Sequence, residues 1–164
     1  MHAGITSAEM KFKVIDKVGM PHVMRFVVSK LDDFDISRLE WIKLLPLNKN
    51  RPLHGCCSYP VYSRMQKDQL IKGYRIRASV NVELAPPILF QHWGRIPSVS
   101  HKQGWYSGEQ TFEFDDLEEC ALHTLAHECF HFLSHTRQLN HKNTEANANW
   151  WADRWVDAFR QEIG

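Results

Sequence analysis

Long hydrophobic runs are missing from this chain of 164 residues, and nothing in it approaches the roughly 20 consecutive apolar residues that a membrane-spanning helix needs. The opening MHAGITSAEMKFKVIDK has no continuous apolar segment of the secretory kind, so the expectation is a cytoplasmic protein with no membrane partner. An excess of one charge is missing too: 20 Lys and Arg stand against 19 Asp and Glu. With no long basic run either, a general nucleic-acid-binding surface is unsupported. Cysteine is scarce, and the four present are badly placed for disulfides. Cys56 and Cys57 are adjacent and lack the CxxC spacing of a metal knuckle. Cys120 and Cys129 stand about 13 Å apart if they share one straight helix, too far to bridge. Reduced thiols in a cytosolic setting are expected. Repeats and low-complexity tracts are absent, and a chain of this length is large enough to bury a core without staples, which implies one domain over residues 1–164. Nothing here bears on the oligomeric state.

Gly and Pro are absent from Thr111 to Ile163, and that absence frees the last third of the chain for two long helices. Asp115 or Asp116 can cap the first, with Glu118 or Glu119 three residues on, predicting a helix from about Leu117 to Leu139. Its apolar stripe is Leu122, Leu125, Ala126, Cys129, Phe132 and Leu133, with His123, His127 and His131 on the other side. Asn143 or Thr144 can cap the second, expected from about Glu145 to Glu162, with Ala148, Ala152, Trp155, Val156 and Phe159 inward. The six tryptophans read as core anchors rather than as a base-stacking set, because three of them fall between Trp150 and Trp155 on that helix.

Within the first helix stands His127-Glu128-Cys129-Phe130-His131, an HExxH motif. Histidines four apart on a helix lie on one face a turn apart, so both imidazoles can reach one ion while the glutamate beside them stays free for proton transfer. His123 and His135 continue the run, but residues eight apart are separated by about 12 Å, so neither can join both motif histidines on one ion. A structural or solvated role is expected for each.

Catalytic zinc commonly takes three protein ligands and leaves a position open for water. Glu145 begins the inward stripe of the second helix, where a buried carboxylate requires a cation, so it is the expected third ligand. His141, in the polar inter-helix loop, is the rival, and Asp153 points off the stripe. Asn149, one turn after Glu145, is expected to support a ligand through a hydrogen bond. The metzincin pattern is excluded, since its third His would fall at Arg137 and its Gly at Ser134.

The strand expected over Trp105 to Phe114, feeding the HExxH helix, resembles the arrangement in zincin metallopeptidases, whose edge strand pairs with an extended substrate. HECFHFLSH followed by NTEANANWWADRW is similar to the gluzincin arrangement, and particularly to ImmA/IrrE-type metallopeptidases. SprT-like proteases, which take a third His, are the competing relative. The resemblance covers about Phe112 to Phe159. It implies one Zn2+ per chain on His127, His131 and Glu145, Glu128 as catalytic base, and a protein or peptide substrate. The fold it implies is α+β and zincin-like, with a small antiparallel or mixed sheet packed on the HExxH helix and the C-terminal helix. The alternative is a zincin-like metal-binding regulatory or partner-binding protein, against which the retained Glu128 weighs. His135, His123, Tyr106 and Arg137 are unranked candidates for stabilising an oxyanion.

The first half is less legible. Lys11 to Asp16 gives a mixed signal, and His22 to Leu31 suits a strand or a short helix. Ile36 to Leu45 suits an amphipathic helix ending at Pro46, and Asn48 to Pro60 is turn-rich. Gly73 to Leu84 alternates as a clear strand, and Ile88 to Gly104, carrying His92, Trp93, Arg95 and His101, is expected to form a loop over the cleft.

Overall fold

The computed structural model describes residues 12–48, 52–60 and 73–163; the first residues of the chain, and with them the signal-segment reading, lie outside these. The chain order is β1 (Lys13–Asp16), α1 (Pro21–Leu31), β2 (Leu39–Pro46), β3 (Leu53–Ser58), β4 (Tyr74–Val80), β5 (Ile88–Pro97), β6 (Trp105–Phe114), α2 (Leu117–His135) and α3 (Glu145–Ile163). It is an α+β architecture. A mixed sheet runs in the order β1-β2-β4-β3, with β1, β2 and β4 parallel and β3 antiparallel to β4. The hairpin β5-β6 forms a separate antiparallel ribbon. No helix among the described residues is long and apolar enough to cross a membrane.

Local chemistry accounts for the junctions. After β1 the Asp16 carboxylate accepts hydrogen bonds from the backbone N–H groups of Val18, Gly19 and Met20, and Gly19 takes a left-handed φ of 87° that glycine adopts without strain. Pro21 then opens α1, where its missing N–H costs nothing. The α1 segment is therefore a helix, resolving the mixed reading of His22 to Leu31. Asp116 caps α2 by accepting from the Glu119 N–H, while the Glu119 carboxylate reaches back to the Asp115 N–H. The helix stops at His135, short of the expected Leu139. Arg137 adopts φ of 61° and Gln138 donates back to the Leu133 carbonyl, a Schellman-type ending at a position glycine usually fills.

Three expectations from the first half are corrected. The segment expected as a helix over Ile36 to Leu45 is strand β2, with Leu39, Ile42 and Leu44 buried. Parallel partners on both sides, β1 and β4, capture it despite its helix-compatible spacing. The turn-rich Asn48 to Pro60 contains β3, made a strand by its ladder to β4. The expected loop Ile88 to Gly104 is mostly β5, paired residue for residue with β6. The β4 reading holds in its alternation, with Tyr74, Ile76, Ala78 and Val80 all buried.

One face of α2 packs across β4 and β3, and α3 lies against α2 and β5. The expected stripe Leu122, Leu125, Ala126, Cys129, Phe132 and Leu133 is fully buried. Phe26 of α1 meets Trp155 and Phe159 of α3 edge-on, closing the core at the far end. Trp93 departs from the core-anchor reading: it is 50% exposed.

Glu119 is almost fully buried and takes two hydrogen bonds from the Arg160 guanidinium, each 2.7 Å. Burial pushes its carboxyl up, but the bonds from Arg160 and from the Asp115 N–H outweigh this and hold it below its ordinary range. A depressed carboxyl stabilises the fold above its unfolded pKa, and that stabilisation is lost as pH falls through the folded value. Arg160→Met should destabilise the protein by about 2 kcal/mol at neutral pH, below the usual cost of splitting a buried pair because Arg160 is partly exposed. The deficit should shrink as acid protonates Glu119. Urea melts of both proteins between pH 7 and pH 3 check this, and a deficit independent of pH would contradict the assignment.

Candidate metal centre

The helices α2 and α3 run antiparallel, and every fourth residue of one meets every fourth residue of the other along a polar seam. His131 faces Glu145, His127 faces Asn149, and His123 faces Asp153. The seam arises because Ala148 and Ala152 of α3 are fully buried and small, so the helices approach closely.

At the open end three groups converge. His127 Nε2 stands 3.1 Å from Glu145 Oε2, His131 Nε2 stands 3.1 Å from Glu145 Oε1, and the two imidazole nitrogens are 3.1 Å apart. The hydrogen-bond network decides which nitrogens carry protons. The Trp93 carbonyl can only accept, so Asn149 must direct its amide NH2 there (2.6 Å), which turns its oxygen toward His127 Nδ1 at 2.6 Å. Nδ1 of His127 is therefore the donor, and Nε2 of the neutral ring carries a lone pair. Asn143 Oδ1 does the same for His131 Nδ1 at 2.6 Å. Two lone pairs and a carboxylate thus point into one space. Such a set repels itself unless a proton or a metal cation lies among the three, and metal-bound histidines characteristically donate the other ring N–H in this way.

The spacing fits a zinc-class ion. Bonds of about 2.1 Å in tetrahedral directions place ligand atoms about 3.4 Å apart, close to the spacing found, and three ligands leave the fourth direction open. Without a cation, protons would have to take its place: hydrogen bonds from the two imidazoles then hold the Glu145 carboxyl far below its ordinary range. Burial lowers His131, but its hydrogen bonds to Glu145 and Asn143 prevail and leave it raised.

No family model, curated protein or solved structure matches this chain. The site must be read from its own geometry.

The structure brings the sequence-predicted His127, His131 and Glu145 together, with Glu128 beside them. The Glu128 carboxyl is 7% exposed, its Oε1 lies 4.0 Å from His127 Nε2, and burial pushes its pKa up. It also accepts the backbone N–H of Cys57. Above it runs β3 with Gly55, where a Cβ would stand 2.5 Å from Glu128 Oε1 and 2.9 Å from Thr124 Cγ2. Only glycine permits so close a crossing. A cavity of about 380 Å3 opens beside the carboxylate, walled by Leu53, Gly55, Phe90, Trp93 and Thr124.

Several expectations need revision. The Glu145 side chain is 63% exposed, so burial does not call for a cation there; what the structure shows instead is that two histidines face it. His141 takes no part: its Nδ1 faces the Arg95 guanidinium at 3.4 Å. Of the structural or solvated roles expected for His123, the structural one fits, as it is 2% exposed and bonded to Asp153. His135 is engaged with the Tyr74 hydroxyl and stacked on Tyr59, and Tyr106 stacks on His101 in the ribbon. Of the oxyanion candidates, His123 alone lines the cavity, and its Nε2 is already committed. Missed from the sequence were Asn143 as the support of His131, the Trp93 carbonyl, and Gly55. Asn143, an expected cap candidate, leaves the capping of α3 to Thr144, whose hydroxyl accepts from the Asn147 N–H; a backbone carbonyl carries no sequence signal.

Glu145→Ala should lower zinc affinity by at least about 100-fold, because it removes an anionic ligand. His141→Ala should leave affinity within about twofold. Competition titrations against a chromogenic chelator measure both, and equal losses in the two variants would disprove this ligand set.

Proposed function

We propose that the chain is a zinc-dependent metallopeptidase of zincin-like, gluzincin type, hydrolysing peptide bonds of a protein substrate. The observation that carries this reading is a buried carboxylate, Glu128, held beside the converging His127, His131 and Glu145 side chains at the edge of a cavity. A site built only to stabilise the fold closes all four positions and has no use for such a base.

His127, His131 and Glu145 would hold the ion, and when bound it supplies Lewis acidity and lowers the pKa of a coordinated water toward neutrality. Glu128 is the base. Its raised affinity for protons suits it to take one from water at neutral pH and return it to the departing amine nitrogen. The Cys57 N–H and the close passage of Gly55 fix the carboxylate in one orientation, so that transfer needs little rearrangement. Asn149 and Asn143 hold both imidazoles in the tautomer that leaves Nε2 free.

The substrate class follows from β3. Among the described residues it is the outer strand of the mixed sheet on that side, and its Leu53, His54 and Gly55 line the cavity. An extended peptide laid against it would gain backbone hydrogen bonds in antiparallel or parallel pairing. This edge, rather than β6, is the docking strand, because residues of β3 line the cavity and none of β6 does.

Glu128→Gln should retain zinc and fold but lose at least about 100-fold in turnover of a quenched fluorescent peptide library, the lower range for a positioned general base. Turnover within threefold of wild type would refute the role.

Gly55→Ala tests the crossing of β3 independently. Its methyl must displace the Glu128 carboxylate, so cleavage of the same library should drop by about one to two orders of magnitude with zinc content unchanged. Undiminished cleavage would show that the crossing does not position the base.

A further inference from the structure

The seam between α2 and α3 continues past the proposed catalytic site. One turn before His127, His123 Nε2 lies 3.0 Å from Asp153 Oδ1. From the ribbon, His92 of β5 approaches the same point, so that one ligand atom from each of His92, His123 and Asp153 lies within 4.8 Å of the other two.

His92 is the informative member. It is 9% exposed and is backed by the Phe112 ring, stacked at 3.5 Å. Its Nδ1 lies 3.1 Å from the Trp93 carbonyl, which can only accept, so Nδ1 carries the proton and Nε2 carries a lone pair. That Nε2 is buried and has no hydrogen-bond partner. A buried acceptor facing no donor is costly, and native structures normally provide one. Nearby the structure offers a second imidazole and a carboxylate instead. Of the two guanidinium groups on α3, Arg160 is bound to Glu119 and Arg154 lies over the Trp150 ring.

We infer that His92, His123 and Asp153 form a second site for a divalent cation of the zinc class. Two imidazoles and one carboxylate are a ligand set that zinc accepts, and the backbone carbonyl on His92 Nδ1 is the support that metal-bound histidines use. The His123–Asp153 pair already stands near ligand spacing. For all three to reach one ion, a spacing now within 4.8 Å would have to close to about 3.4 Å.

The consequence is a cross-link of β5, α2 and α3 behind the cavity. The two sites also share one atom: the Trp93 carbonyl accepts from His92 Nδ1 and from Asn149, which orients His127. A cation on His92 therefore helps to hold the support of the first site. This inference does not depend on peptidase activity.

Native mass spectrometry of the full chain, stripped with a chelator and returned to stoichiometric Zn2+, counts the ions directly. Wild type should carry two, and Asp153→Asn, His92→Gln and Glu145→Gln one each. Circular dichroism, together with the ion retained in Asp153→Asn and His92→Gln, establishes that these variants fold. An ion that persists in Glu145→Gln and disappears in the doubly substituted Glu145→Gln, Asp153→Asn protein would locate it at the second site. A single ion in wild type that Glu145→Gln removes would overturn the inference and leave the first site standing. A second ion that survives both Asp153→Asn and His92→Gln would overturn it too, since that ion would sit elsewhere. Loss of an ion in Asp153→Asn and His92→Gln but not in Glu145→Gln would support the second site while sinking the first.

Discussion

Two imidazole nitrogens 3.1 Å apart, both with lone pairs directed at the same space, are an arrangement that a fold must enforce. The enforcement comes from the far side of each ring. Asn149, itself pinned by the Trp93 carbonyl, turns His127, and Asn143 turns His131. Each of these amides sits on or beside α3, while both rings sit on α2, so the chemistry depends on how these two helices are docked. The docking in turn depends on small residues. Ala148 and Ala152 let the backbones approach, and the four-residue repeat of each antiparallel helix then brings polar partners together turn after turn.

That arrangement has an energetic cost, met elsewhere in the core. His123, Glu128 and Asn149 are all under a tenth exposed, and each gives up water. The offsets are a fully buried apolar stripe on the opposite face of α2, the Phe26, Trp155 and Phe159 cluster, and the Glu119–Arg160 pair that ties the start of α2 to the end of α3. The last of these also explains why the seam stays in register: a helix pinned at its first turn cannot slide by a residue without losing a buried ion pair. Glu128 gains most from this rigidity. Its raised proton affinity comes from burial beneath β3, and a shift of the sheet would return water to it.

Legibility followed the source of each element's stability. α2 and α3 carry their own signals, caps and uninterrupted periodicity, and both appear nearly where the sequence placed them. The end of α2 was misjudged because Arg137 takes the left-handed turn usually given to glycine, so the punctuation was hidden. β4 and β6 alternate cleanly and were visible. The strands β2, β3 and β5 were not, because their identity lies in their partners. Leu39 to Pro46 has spacing that a helix tolerates, and only the two parallel neighbours make it a strand. Gly55, in a stretch read as turn-rich, looks like a turn residue until the strand is seen crossing Glu128.

The sequence by itself determined that His127 and His131 share a helix face with Glu128 beside them, since the period of an α-helix is a local property of the backbone. It also placed Glu145 and Asn149 one turn apart at the head of the next helix. Tertiary structure alone decided which atoms of these residues meet. Glu145 reaches the histidines while largely exposed, His141 turns aside to Arg95, and a carbonyl from a strand read as a loop sets the tautomer of His127. His92 joins His123 and Asp153 only because the ribbon folds back over the seam. Contacts between residues from 14 to 61 positions apart depend on the packing of several elements at once, and no local pattern in the chain encodes them.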